Sequence, residues 1–230
     1  LKAEKKSKIA SKQASPKWFF WIVGVFSLCV LGLLLIGNFS KTEAVINYKN
    51  QPYIGDAAAP VKIVEFGDYK CPVCKNFNAT NFPQIKEKYV ETGIATFYFM
   101  NDPFINTDSN RSALFAETVY QELGNETFWK FHDQLYSKQP EDSKYEAIDL
   151  YTESFLKDTL KEVANDDDTN KVMEAFQQKK AKSALEQDLL HVKNLKVDGT
   201  PTLFINGKKF EGNTWDEFNQ MVEDAAKEKK

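Results

Sequence analysis

Cysteine and histidine are both scarce in this 230-residue chain, three of the first and two of the second. Three cysteines are too few for a disulfide scaffold. His132 and His191, with no His-x-Glu or paired-histidine spacing, offer little for a zinc or non-haem iron centre, so no metal is expected. Charge of one sign is lacking as well: thirty Lys and Arg stand against thirty-three Asp and Glu, a formal net charge of −3. Without a basic field, nucleic acid is not an expected partner. What is present is 42% hydrophobic and 13% aromatic residues, enough apolar surface for a substantial core. The chemistry left open is that of cysteine.

The charge average hides a split. Residues 1–17 carry six lysines against the single acid Glu4. Trp18–Gly37 follows, twenty residues without a charge, which at about 1.5 Å per residue crosses a hydrocarbon layer of roughly 30 Å once. A cleaved secretory segment has a shorter apolar centre ending in small residues, so the run reads as an uncleaved signal anchor. Lysines ahead of the span leave the N-terminus in the cytoplasm and send residues 38–230 outside the cell membrane. Cys29 lies in mid-span after Leu28 and reads as a small apolar filler. Two cysteines remain outside.

Beyond a polar stalk at 38–52 the pattern turns globular. Val61–Phe66, VKIVEF, bounded by Pro60 and Gly67, reads as a buried strand. A helix follows from Cys71 through Phe77, Phe82, Ile85 and Tyr89, with Pro83 as a kink and Gly93 as a stop. Ile94–Met100 is the next strand. From Ser109 to Val192 the spacing is helical, with breaks at Gly124-Asn125, Gln139-Pro140 and 165–168. Strands return at Thr202–Ile205 and Lys208–Glu211 around the hairpin signal Asn206-Gly207, and a last helix starts near Thr214. Asp166, Asp168 and Asn170 mimic the start of a calcium loop. Lys171 stands where glycine is needed and Gln177 where the final glutamate belongs, so they read as a helix N-cap cluster. His132, on an aromatic helix face, reads as a packed, hydrogen-bonded core histidine.

Cys71-Pro72-Val73-Cys74 lies just after a strand, at the first turn of a helix. A zinc site needs four ligands, and a structural disulfide across three residues gains little. A redox-active pair fits the position best. Helix amides and the macrodipole stabilise a thiolate at Cys71, the more exposed sulfur, while Cys74, one turn in, stays protonated longer. Pro72 suits the first helical turn, and Lys70 and Lys75 add positive charge that Asp68 partly offsets.

From about Tyr53 to Ala225 the chain resembles the thioredoxin superfamily and, within it, the DsbA-like thiol-disulfide oxidoreductases. The likeness rests on V-x-x-F-x-x-Y-x-C-P-x-C at Val64–Cys74, on Phe128-Trp129-Lys130-Phe131-His132, and on Gly199-Thr200-Pro201-Thr202. With the anchor, it is most like the membrane-tethered oxidases of Gram-positive bacteria. The resemblance implies an α/β thioredoxin-like core, 53–108 and 193–230, with an all-helical domain inserted at 109–192 and one N-terminal transmembrane helix. It also implies that Cys71 is the nucleophile and Cys74 its partner. Glu65 would be the buried acid that moves a proton to or from Cys74. Pro201 would be a cis-proline whose neighbour Thr200 presents its backbone to an extended substrate. Strongly oxidising members carry histidine where this chain has Val73, so its thiolate loses one partner. Lys70, Pro72 and Val73 are thus the residues expected to tune the pair.

The expected activity is introduction of disulfide bonds into cysteine-containing exported proteins. It needs no cofactor beyond the Cys71–Cys74 disulfide, and a DsbB-like membrane partner that passes electrons to quinone would reset it. The alternatives are an extracytoplasmic reductase or isomerase on the same fold, or a non-catalytic module that grips extended peptides beside Pro201.

Overall fold

Short β-branched and aromatic runs separated by helical stretches place a mixed sheet at the centre of the computed structural model, which describes residues 45–228 together with 21 and 22. Strands β1 (Tyr53–Ile54), β2 (Val61–Gly67), β3 (Ala95–Asn101), β4 (Thr202–Ile205) and β5 (Lys208–Lys209) lie in the order β1-β3-β2-β4-β5. β2 and β3 are parallel, with Val61 opposite Ala95 and Gly67 opposite Asn101. The other neighbours are antiparallel. A parallel pair requires a crossover, supplied by α1 (Pro72–Thr80), α2 (Phe82–Ile85) and a π turn at Lys86–Val90. Pro83 opens α2 after the break at Asn81, and Gly93, at φ +74°, ends the crossover.

Side chains alternate across a strand, and both faces of this sheet are covered. Val61, Ile63, Phe97 and Phe99 pack on one side with Phe115, Phe128 and Phe131. Val64, Phe66, Tyr98, Met100 and Phe204 pack on the other. Every residue of β3 is buried, so its sequence runs apolar instead of alternating. Gly67 has no substitute here, because a Cβ would stand 2.6 Å from the Phe99 ring.

The helices are α3 (Thr107–Ser137), α4 (Glu153–Leu160), α5 (Asp166–Gln177), α6 (Lys182–Leu195) and α7 (Trp215–Glu228). A capping box between Asn106 and Ser109 starts α3, and the break expected at Gly124-Asn125 is a kink inside it, with Gly124 at φ +77°. Asn165 caps α5 by accepting the Asp168 N–H at 2.8 Å, which leaves the acids of the calcium-like sequence in the first helical turn.

Four expectations change. The stalk assigned to 38–52 is part of the core from residue 45 on: Ile46 is buried, Tyr48 packs beside it, and the Gln51 amide donates to Asp188 at 2.8 Å. β1 was not foreseen, being too short to show a period. The helical insertion begins at Thr107 and its last helix runs to Leu195, rather than 109–192. The strand expected at Lys208–Glu211 stops at Lys209, where the chain turns and Phe210 packs edge-on against Phe218. The hairpin itself holds, with Asn206 and Gly207 both at positive φ. The basic head and the apolar run Trp18–Gly37 lie outside the described residues, apart from the helical Trp21 and Ile22. Among the described residues no helix is long and apolar enough to cross a membrane.

Candidate active site

Strand register builds the site. Phe66 on β2 pairs with Thr202 on β4, so the turn leaving β2 at Gly67 meets the loop entering β4 at Pro201. The Thr200–Pro201 peptide bond is cis. Cys71 is the N-cap of α1 and Pro72 its first residue, as the sequence position demands. The Cys71 sulfur accepts the Cys74 N–H at 3.4 Å and lies 3.3 Å from the Thr200 carbonyl, which its thiol reaches as a donor. Both cysteines are free thiols. Cys71 is 5% exposed and Cys74 fully buried, so an incoming sulfur reaches Cys71 first.

The two thiols are pushed apart. Cys71 is lowered from 9.0 to about 6, first by the hydrogen bond from the Cys74 thiol. Burial opposes this, and the Cys74 and Val73 amides reinforce it. Cys74 is raised well above the ordinary thiol range, mainly by burial and by donating to Cys71, with Glu65 adding to the rise. Glu65 sits in β2 between Phe99 on β3 and Leu203 on β4, 1% exposed, and its Oε1 has no hydrogen-bond partner. Burial, and then the Cys71 charge, push its carboxyl well above the usual range.

Lys70 does not play the part expected of it. Its side chain is fully buried and turns away from the sulfurs to an ion pair with Asp108 at 2.8 Å and to the Ile148 carbonyl at 2.6 Å. Its charge is spent there because an unpaired ammonium is too costly to bury. Lys75 likewise bonds the Gln139 carbonyl and Glu141. The acidity of Cys71 therefore comes from hydrogen bonds at the helix terminus, not from lysines. Val73, 57% exposed, offers Cys71 its backbone amide, but its aliphatic side chain has no donor to add.

The sequence showed Asp68 only as a charge offsetting the lysines and Gln139 only as a helix break, and it gave no sign of Tyr145 or Tyr151. Asp68 is buried and accepts the backbone N–H groups of Lys70, Phe104 and Ile105, tying the turn before Cys71 to the loop after β3. The other three bond the carbonyls of residues 69–71 from a segment 68 to 82 residues away, for which no local signal exists. His132 is buried, pairs with the Tyr69 hydroxyl through Nδ1 at 3.1 Å, and is held neutral by burial, its pKa lowered to about 3. One turn beyond Cys74, Phe77 lines a cleft of about 170 Å³ with Leu203, Phe210, Trp215 and Phe218.

A thioredoxin family model matches residues 47–224. Over 192 residues the chain is 33% identical to the probable disulfide bond formation protein D of Bacillus anthracis, covering 80% of this chain and 85% of that protein. Disulfide bond formation protein D of Bacillus subtilis is 34% identical over 182 residues, 79% of each. The chain belongs to the DsbA-like thiol-disulfide oxidoreductases of the thioredoxin superfamily. Crystalline oxidised BdbD from Bacillus subtilis superimposes with a TM-score of 0.73 at 32% identity, over 80% of this chain and 97% of that one. DsbA of Chlamydia trachomatis, at 21% identity, shares the fold with a TM-score of 0.64 over 80% and 94%. Like these relatives, this DsbA-like chain is a protein disulfide oxidoreductase.

Proposed function

We propose that the protein is an extracytoplasmic dithiol oxidase that introduces disulfides into exported proteins through Cys71 and Cys74. The observation that carries the reading is the split between the two sulfurs, one acidic and reachable, the other buried and basic. A substrate thiolate attacks Cys71 of the oxidised pair, forming a mixed disulfide. The Cys71–Cys74 bond breaks and Cys74 leaves with the electron pair. Glu65, kept protonated by burial, supplies the proton that Cys74 takes up. A second substrate thiolate then attacks its own partner sulfur, and Cys71 departs as a stabilised thiolate. Two electrons have moved from substrate to enzyme. A low-pKa leaving group drives that last step forward.

Exposed Val73, Phe104 and Ile148 belong to segments on or bonded to the active-site turn, an apolar rim suited to unfolded chains. The Thr200 backbone supports a role in aligning them. The basic head before an uncharged run supports a membrane-tethered enzyme facing outward, reset by a DsbB-like, quinone-linked partner. The test is trapping. Cys74→Ser should accumulate reductant-sensitive complexes with exported proteins and Cys71→Ser none; equal trapping by both, or by neither, refutes the assigned roles.

A further inference from the structure

The turn Tyr69–Cys71 exposes three backbone carbonyls, and side chains of the helical insertion cover all three. Gln139 Nε2 donates to the Tyr69 carbonyl at 2.9 Å and to the Cys71 carbonyl at 3.2 Å. The Tyr145 hydroxyl donates to the Lys70 carbonyl at 2.7 Å, and the Tyr151 hydroxyl to the Tyr69 carbonyl at 2.8 Å. All three side chains are at least 97% buried. Lys70 anchors the far end of the same segment through the Ile148 carbonyl and Asp108, which also accepts the Leu150 and Tyr151 N–H groups.

We infer that the segment 139–151 is a strap that positions the reacting cysteine, with Gln139 and Tyr145 fixing the peptide planes on either side of Cys71 so that its sulfur lies against the amide terminus of α1. The Lys70–Cys71 plane is held at its oxygen by Tyr145 and at its nitrogen by the Asp68 carbonyl, 2.9 Å away. The Cys71–Pro72 plane has no N–H, so its oxygen is its only handle, and Gln139 takes it together with the Lys75 N–H. With both planes fixed, the Cys71 side chain is directed at the Cys74 N–H and Thr200 without needing the histidine that Val73 replaces. Substrate does not need to touch these residues. They act through the orientation of Cys71. The Tyr145 phenol is pushed far above the ordinary tyrosine range, chiefly by burial, so it remains a donor wherever Cys71 titrates. The other ionisable groups facing the pair are Glu65, Asp68 and Tyr136, and none of them belongs to the strap.

The inference rests on Cys71 being the acidic sulfur, and the experiment separates the two. Alkylation rates at the peptide bearing Cys71 are followed against pH by mass spectrometry in the full reduced chain, for the wild type, Tyr145→Phe, Gln139→Leu and Val172→Ala. Val172 is buried in α5 and serves as a control for lost stability. The redox equilibrium of the pair with glutathione is measured on the same proteins. One net hydrogen bond is worth about a three- to tenfold change in such constants. Tyr145→Phe and Gln139→Leu should each raise the apparent pKa of Cys71 and weaken the oxidising equilibrium by that factor, while Val172→Ala changes neither. If the wild type titrates as an ordinary thiol, the assignment of Cys71 and the strap both fall. If the wild type is acidic but Tyr145→Phe and Gln139→Leu match it, or Val172→Ala shifts as much as they do, the strap alone is refuted.

Discussion

Stability should depend on pH differently in the two redox states, and the size of the difference follows from Cys71. A thiolate stabilised in the fold exists only in the reduced protein. Its pKa is depressed from 9.0 to about 6, so its contribution is complete above the unfolded value and is lost as pH falls through the folded one. Linkage between those two values gives about 1.4 kcal/mol at pH 7, and a rise of about 2.6 kcal/mol from pH 5 to pH 8. Against this, the four-residue disulfide loop stabilises the oxidised form by about 2 kcal/mol through loop entropy, at any pH. Glu65 lies under both forms, so its own burial cancels from the difference. The oxidised protein should therefore be the more stable at pH 5 and the reduced one at pH 8, with a crossover between about pH 7 and 8. For a domain of this size the swing is about 5–10 °C in Tm. Paired thermal melts of both forms across that range measure it, and Cys71→Ser, which has no thiolate at this position and cannot form the disulfide, should lack the rise in stability with pH that the reduced wild type shows beyond the oxidised one. A difference that stays flat, or that moves toward the oxidised form as pH rises, would refute the reasoning.

Two further outcomes are expected. Val73 is exposed and beside the sulfur's amide partners, so Val73→His has room to donate to the Cys71 thiolate; the glutathione equilibrium should shift about tenfold toward a stronger oxidant, and an unchanged constant would show that position 73 does not reach the sulfur. Glu65→Leu removes a buried carboxyl with an unpartnered oxygen, so urea denaturation should find both redox forms more stable by about 1–3 kcal/mol while disulfide transfer to a dithiol peptide slows. A variant no more stable than the wild type, or one equally fast, contradicts the part given to Glu65.

What the sequence revealed follows the range of the interactions. Cys71-Pro72-Val73-Cys74 was legible because strand, N-cap, proline and helix are consecutive, and Asn206-Gly207 because a tight hairpin has a two-residue signature. Lys70 misled because charge can be read from a sequence and burial cannot; its partner Asp108 is 38 residues on. Residues 45–52 looked like a stalk because the apolar stretch ending at Ile46 is too short to show a period and Gln51 is polar; both become core only against Tyr98 and Asp188. The strap was invisible for the same reason: a glutamine and two tyrosines carry no pattern until the turn they hold is folded beside them.

The buried Lys70–Asp108 pair bears on how this architecture can be taken apart. One charge comes from the residue before the redox motif and the other from the first turn of the inserted helices. Excising the insertion to reach a minimal thioredoxin would strand an ammonium in an apolar interior and strip the oxygens of residues 69–71, so the shortened chain should lose its fold along with its chemistry. Grafting faces the same obstacle in reverse: a foreign core without a cation at the position of Lys70 would leave Asp108 unanswered. The insertion and the core are thus clamped to each other by a charge pair as well as joined by the chain.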